Sequence, residues 1–207
     1  MKFYLSSYKV ISQPKRFKSL IPKDNRKTAY ISNALDYSKD LARRKKSEQF
    51  DRMQLTRVGL KAENIDLRKY FGKSKQLKQK MDQFGVLWVR GGNVFVLRQA
   101  MRLSGLDNIL RQYAKSKDLL YGGYSAGGCV MAPSLKGLEL VDDASQKPYR
   151  GQKRIIWRGL NLIKFSIAPH YKSKHFESSA IKRLVKYYIR YKIPHKALQD
   201  GEVIIIN

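Results

Sequence analysis

The chain has 207 residues, and its 43% apolar and 11% aromatic content is that of a globular protein with its own core rather than a disordered chain. The charge is strongly basic, with 43 Lys and Arg against 16 Asp and Glu, a net +27. The single cysteine excludes an internal disulfide and a cysteine-based zinc site, and no apolar run reaches the ~20 residues of a membrane span.

The basic charge predicts weak, nonspecific attraction to polyanions at low salt. The Lys and Arg residues are spread along the chain, and none of their clusters lies in a helix-turn-helix, a zinc finger or an RNP box. The apolar stretch at the N-terminus is too short for a signal peptide. We therefore expect a cytoplasmic protein with no specific nucleic-acid partner and no membrane association.

Short strand-favouring runs alternate with segments of helical period along the chain. The first half predicts strands at 2–6 and 27–32, a helix over 37–55 and a short strand within 58–65. A helix over 76–83, a strand over 85–90 and helices over 94–103 and 108–115 follow. Gly105 is placed to end the first of the last two helices, and Asp107 to cap the second.

The second half continues with a strand that ends at Ser125 and an irregular excursion over 133–151. A strand over 165–168, an amphipathic helix over 176–192 and a last strand over 203–206 complete the chain. The alternation predicts an α/β fold with a doubly wound, mostly parallel sheet, as a single domain over 1–207. In such sheets chemistry collects at the carboxyl ends of the strands, where Gly91-Gly92, Ser125 and Pro169-His170 are expected.

The segment Gly123-Tyr124-Ser125-Ala126-Gly127 reads G-x-S-x-G, the pattern of a nucleophilic serine at a sharp strand-to-helix turn. Glycines two before and two after the serine let strand and helix approach closely enough to force the turn. Ser125 is therefore the candidate nucleophile. The backbone N–H of Ala126, with that of Gly92, is a candidate oxyanion-hole donor.

A serine nucleophile needs a base and a group that orients the base. Among three histidines, His170 follows an apolar strand and a proline and is the candidate base, whereas His175 and His195 are expected at the surface. The residues leave the acid open between Asp200, in the turn before the last strand, and Asp142 or Asp143 in the excursion.

Several motifs in order closely resemble the peptidase E family of serine peptidases, which includes aspartyl dipeptidases. These motifs are Val89-Arg90-Gly91-Gly92-Asn93-Val94-Phe95, Ser104-Gly105-Leu106-Asp107, the G-x-S-x-G segment, Ala168-Pro169-His170-Tyr171 and Ala197-Leu198-Gln199-Asp200-Gly201.

The resemblance covers nearly the whole chain and implies a flavodoxin-like fold akin to class I glutamine amidotransferases, with no metal or cofactor. It implies Ser125, His170 and Asp200 as the triad, Gly92 and Ala126 as oxyanion donors, and Asn93 and Glu177 as substrate-binding positions. Aspartyl dipeptidases of this family hold the acidic side chain of an Asp-X substrate with an arginine. In this sequence the corresponding position is Glu177. A carboxylate there would repel an N-terminal aspartate.

The sequence thus predicts a serine peptidase acting on short peptides, with a Ser-His-Asp triad and no cofactor. One alternative is an α/β-hydrolase-type esterase that uses Asp142 or Asp143. A second is a basic binding protein on a peptidase scaffold without turnover.

Overall fold

A computed structural model describes residues 1–8, 11–152 and 154–207. Its eight strands are β1 (Lys2–Ser6), β2 (Thr28–Ile31), β3 (Ala62–Asn64), β4 (Val86–Val89), β5 (Leu120–Tyr124), β6 (Ser166–Ala168), β7 (His195–Ala197) and β8 (Val203–Ile206). Six of them form a central sheet in the order β3-β2-β4-β5-β1-β8. Its neighbouring strands pair in parallel except β8, which runs antiparallel to β1.

Helices alternate with these strands, which confirms the predicted α/β class. They are α1 (Pro14–Leu20), α2 (Leu41–Arg57), α3 (Ser74–Met81), α4 (Val94–Ser104), α5 (Leu106–Ser116), α6 (Ala126–Cys129) and α7 (Ser178–Arg190), with 3₁₀ turns at Asn33–Leu35, Leu67–Tyr70 and Leu138–Leu140. In the described part of the chain, every helix is too short or too polar to cross a membrane.

The central strands read as continuous apolar runs because both faces of the sheet are covered. All four residues of β4, Val-Leu-Trp-Val, are buried. On one face, Phe17 of α1 packs edge-on against Tyr4 and Trp88, with ring centroids 5.0 and 5.6 Å apart. A larger apolar cluster that includes α4, α5 and α7 forms the rest of the core.

Three local features differ from the predictions. The first is that two short elements, helix α1 and strand β7, were not predicted, because segments of seven and three residues are too short to show a period. The predicted strand at 165–168 pairs as β6 with β7 in a separate two-stranded sheet rather than in the central one.

The third difference lies at the start of α5. Gly105 does end α4, in a left-handed conformation with φ 78°, and the same residue is also the N-cap of α5. Asp107 is therefore not the cap. Its carboxylate is fully buried and lies 3.0 Å from Arg98 Nη1.

Candidate active site

The carboxyl ends of three neighbouring strands of the central sheet, β4, β5 and β1, lie side by side at one edge of that sheet. Ser7 follows β1, Gly91-Gly92 follows β4 and Ser125 follows β5. Because β5 pairs in parallel with both neighbours, its last residues lie level with the ends of β1 and β4. The predicted convergence of Ser125 and the Gly-Gly pair at one edge of the sheet is therefore observed.

Ser125 lies at a sharp turn between β5 and α6. Its backbone has φ 48° and ψ −118°, a conformation costly for a non-glycine residue, and its N–H donates to Ser6 O at 3.2 Å. A Cβ on Gly127 would lie 2.2 Å from Val89 O, so only glycine lets α6 approach β4 this closely. The surroundings thus hold Ser125 in a strained turn.

His170 and Asp200 meet side by side. The imidazole Nδ1 lies 2.7 Å from Asp200 Oδ1, and the His170 side chain is 1% exposed. His170 follows β6, and Asp200 follows β7 by three residues, so the two-stranded sheet brings both side chains together. The carboxylate fixes Nδ1 as the protonated nitrogen and leaves Nε2 as the basic one.

Ser7, which no sequence motif indicated, contacts both of these residues. Its hydroxyl accepts the His170 backbone N–H at 2.7 Å and donates to Asp200 Oδ1 at 3.0 Å. The residue is fully buried at the end of β1. Ser7 therefore joins the two-stranded sheet to the central sheet beside the imidazole.

His175 was predicted at the surface, and that prediction is wrong. Its ring stacks on His170, with centroids 3.7 Å apart and an interplanar angle of 10°, and its side chain is 12% exposed. Tyr8 packs edge-on against both rings. Burial lowers the pKa of His170, the Asp200 hydrogen bond opposes this, and the charge of His175 lowers it further.

His195, also predicted at the surface, is half-buried. Its Nδ1 lies 2.9 Å from Ile193 O, and its ring contacts Tyr188. It does not line the cavity described next.

A cavity of about 460 Å³ opens beside Ser125. Helix α2 contributes the basic side chains Arg43 and Lys46 to its lining, whereas Asp142 and Glu177 contribute carboxylates. Four exposed aromatic side chains, Tyr8, Tyr37, Phe50 and Phe176, also line it. The cavity therefore offers positive, negative and apolar surface next to the serine.

Two backbone donors at this cavity are unused. Among the described residues, no hydrogen bond is donated by the N–H of Gly92 or of Ala126. Gly92 has φ 141°, and a Cβ there would lie 2.5 Å from Ala34 O. Both amides are therefore free to bind an oxyanion.

The hydrogen bonds of the described residues include none between Ser125 Oγ and His170 Nε2. Instead, Nε2 lies 3.8 Å from Glu177 Oε2. Hydrogen bonds of this kind are often long without substrate and shorten when it binds.

Asn93, predicted to bind substrate, has a structural role in capping α4, and its contact with substrate stays a prediction. Its Oδ1 accepts the N–H groups of Phe95 and Val96 and so caps α4, and its Nδ2 donates to Asp143 O. Both acceptor positions of Oδ1 are thus used, as is one of the two N–H groups of the amide.

The two alternative acids do not contact an imidazole in the described part of the chain. Asp142 accepts the Val94 N–H at 2.8 Å, and burial raises its pKa to about 7. The exposed Asp143 accepts hydrogen bonds from Ser145. Asp200 alone of the three candidates reaches His170.

His170, His175 and Glu177 bring three potential metal-ligand atoms within 4.8 Å of one another. The lone pair of an imidazole nitrogen points along the plane of its ring, and the two rings here are nearly parallel. Their lone pairs therefore do not converge on one point, as tetrahedral zinc ligands must. The arrangement fits a stacked pair of imidazoles better than a metal site.

Comparison with known proteins decides the family. The family model described as Peptidase family S51 matches residues 7–207. The chain belongs to this family, the peptidase E family. Similar chains include uncharacterized peptidases of Pasteurella multocida (26% identity over 132 residues) and Listeria monocytogenes (29% over 135 residues). These alignments cover 64% of this chain and 60% and 62% of the two relatives, so the chain matches about three fifths of their length.

Solved structures of two other proteins share the fold. A crystal structure of a candidate peptidase E protein from Listeria monocytogenes EGD-e has a TM-score of 0.68 at 22% identity and covers 100% of this chain and 98% of its own. That of a peptidase from an acI-B1 actinobacterium has a TM-score of 0.68 at 15% identity, covering 100% and 83%. The predicted flavodoxin-like, amidotransferase-like fold is thereby confirmed.

Proposed function

We propose that this S51 chain is a serine peptidase that hydrolyses short peptides. Ser125 is the nucleophile, His170 the general base and Asp200 the group that orients the imidazole. The observation that carries the proposal is the 2.7 Å contact between His170 Nδ1 and Asp200 Oδ1. His175, which stacks on His170, lines the same cavity as Ser125, the serine in a strained turn. The family membership supports the same reaction class.

The reaction would proceed by acyl transfer. Ser125 Oγ bonds to the scissile carbonyl carbon while His170 Nε2 takes the hydroxyl proton, and the N–H groups of Gly92 and Ala126 bind the oxyanion. The C–N bond then breaks, and the imidazolium gives its proton to the leaving amine. Water, activated by the same imidazole, hydrolyses the acyl-enzyme and restores Ser125. No cofactor is needed for these steps.

The test is hydrolysis of a dipeptide library by the wild type and Ser125→Ala, with labelling by a serine-directed fluorophosphonate. We expect Ser125→Ala to abolish labelling and to lower kcat by about 10³-fold or more. His170→Ala should abolish labelling as well. Hydrolysis that persists in Ser125→Ala would contradict the proposal. Absence of both labelling and turnover in the wild type would favour a binding protein on a peptidase scaffold.

A further inference from the structure

Glu177 is a partly buried carboxyl group beside the proposed triad, and burial and then the charge of Asp200 raise its pKa. Its Oε2 lies 3.8 Å from His170 Nε2 and 3.7 Å from His175 Nδ1, and its side chain is 23% exposed. Among the described residues, no Lys or Arg forms an ion pair with Glu177, although the chain has 43 of them. The pKa of His175 is lowered by burial, so this imidazole is neutral near pH 7 and leaves the carboxylate uncompensated.

Asp142 adds a second carboxylate to the same part of the cavity. Burial raises the pKa of Asp142, and the charge of Glu177 raises it further. Tyr37, Asp142 and Glu177 line the same cavity, and burial and then the charges of the two carboxylates raise the pKa of Tyr37. Two partly buried carboxylates that repel each other are stabilised by a cation bound between them.

The other charged wall of the cavity does not supply that cation. Arg90 is held by Asp51, at 3.5 Å between Nε and Oδ2, and by the hydroxyl of Ser47. Arg43 and Lys46 line the cavity but form no ion pair with Glu177 or Asp142 within the described ranges. The positive charge that complements Glu177 therefore has to come with a ligand.

We propose that Glu177, together with Asp142, binds a primary ammonium group on the N-terminal residue of the substrate. This inference rests on the proposed peptidase function, because only that function makes the bound peptide a substrate. Two groups carry that chemistry, namely the α-ammonium of a free N-terminus and the ε-ammonium of an N-terminal lysine. A net charge of +27 does not oppose a short peptide whose own charges balance, and Arg43 and Lys46 are available for its terminal carboxylate.

A rival role for Glu177 is that of a counter-charge which stabilises the His170 imidazolium. The two roles differ in what they predict for different substrates. A counter-charge acts equally on every substrate, whereas a carboxylate that binds the substrate's ammonium matters only when that ammonium is present.

The test measures binding by calorimetry to Ser125→Ala protein, which cannot turn the peptide over. Ala-Ala is compared with N-acetyl-Ala-Ala, and Lys-Ala with norleucyl-Ala, in Ser125→Ala with and without Glu177→Gln. A charge-assisted hydrogen bond predicts that Glu177→Gln lowers the affinity for Ala-Ala about tenfold or more and leaves that for the acetylated peptide unchanged. Loss of preference for Lys-Ala over norleucyl-Ala would instead identify the lysine side chain as the ligand.

Glu63→Gln is the matched control, because Glu63 is an exposed glutamate on β3 paired with Lys80. It should change no affinity. Equal changes for free and acetylated peptides, no change for either pair, or no binding of any peptide would overturn the inference.

If Glu177→Gln does not fold, both peptide pairs are compared on Ser125→Ala alone, and equal affinities within each pair overturn the inference. The proposed function fails separately, through absent hydrolysis and labelling in the wild type, and binding that depends on Glu177 would survive that failure.

Discussion

The hydrogen bond from His170 Nδ1–H to Asp200 fixes which imidazole nitrogen is free to act as a base. Asp200 is itself held, because its N–H donates to Ser173 Oγ at 2.8 Å and its Oδ1 accepts from Ser7. The position of the Asp200 backbone thus brings its short side chain within reach of the His170 ring. The G-x-S-x-G motif was sufficient to locate Ser125. The distance between His170 Nδ1 and Asp200 Oδ1, in contrast, depends on tertiary structure.

Replacing Asp200 tests the orienting role. Asp200→Asn should lower kcat about 10³-fold or more, because an amide can present its NH₂ to Nδ1 and so favour the wrong tautomer. Steady-state kinetics on the best dipeptide provides the measurement. The control is Asp118→Asn, an exposed aspartate paired with Lys2 at the amino ends of β5 and β1, the opposite edge of the sheet from Ser125, which should leave kcat unchanged. An Asp200→Asn enzyme with wild-type kcat would refute the assignment.

The stacked histidines predict the pH dependence. A base works only when neutral, and burial lowers the pKa of His170 from its ordinary 6.5, so kcat/KM should fall only below pH 6.5. His175→Ala exposes the ring, which should raise this pKa and move the acid limb to higher pH. Because the Asp142 carboxyl titrates near 7, the profile is also recorded in Asp142→Asn. An acid limb with its midpoint at or above pH 6.5, in both the wild type and Asp142→Asn, would contradict the prediction.

At the scale of elements, the proposed catalytic groups belong to two separate sheets. Ser125 follows a strand of the six-stranded sheet, whereas His170 and Asp200 follow the strands of the two-stranded sheet. The strand-helix alternation predicted the first sheet well, because its strands are continuous apolar runs. It could not predict the second, because β6 and β7 have three residues each and pair residues that are 29 apart in the chain. Ser7 and His175 were missed for the same reason.

Ser7 connects the two sheets and should matter as a positioning residue. Ser7→Ala removes the acceptor of the His170 N–H and a donor to Asp200, so we expect a loss of stability of about 1–2 kcal/mol and a kcat about tenfold lower. KM should change little, because Ser7 is buried and does not line the cavity. Thermal unfolding and kinetics measure the two effects. Lower stability with unchanged kcat would indicate a purely structural role.

At the scale of the molecule, the charge of +27 is independent of the proposed chemistry. It should give retention on heparin at low salt and release by about 0.5 M NaCl, because screening and counterion release weaken such contacts. Fluorescence anisotropy with unrelated DNA duplexes should show no sequence preference. Selective binding of one duplex at 0.5 M salt would reveal a nucleic-acid partner.

The buried Cys129, four residues after the proposed nucleophile, can report local opening of the structure around the site. It is the single thiol in the sequence, and burial holds its pKa well above the ordinary value for cysteine. Its Sγ lies 3.4 Å from Ile167 O, in the strand that leads to His170. A thiol reagent can therefore react only in molecules where α6 has separated from β6. The alkylation rate of the native protein would therefore measure how often α6, which follows Ser125, separates from β6, which leads to His170.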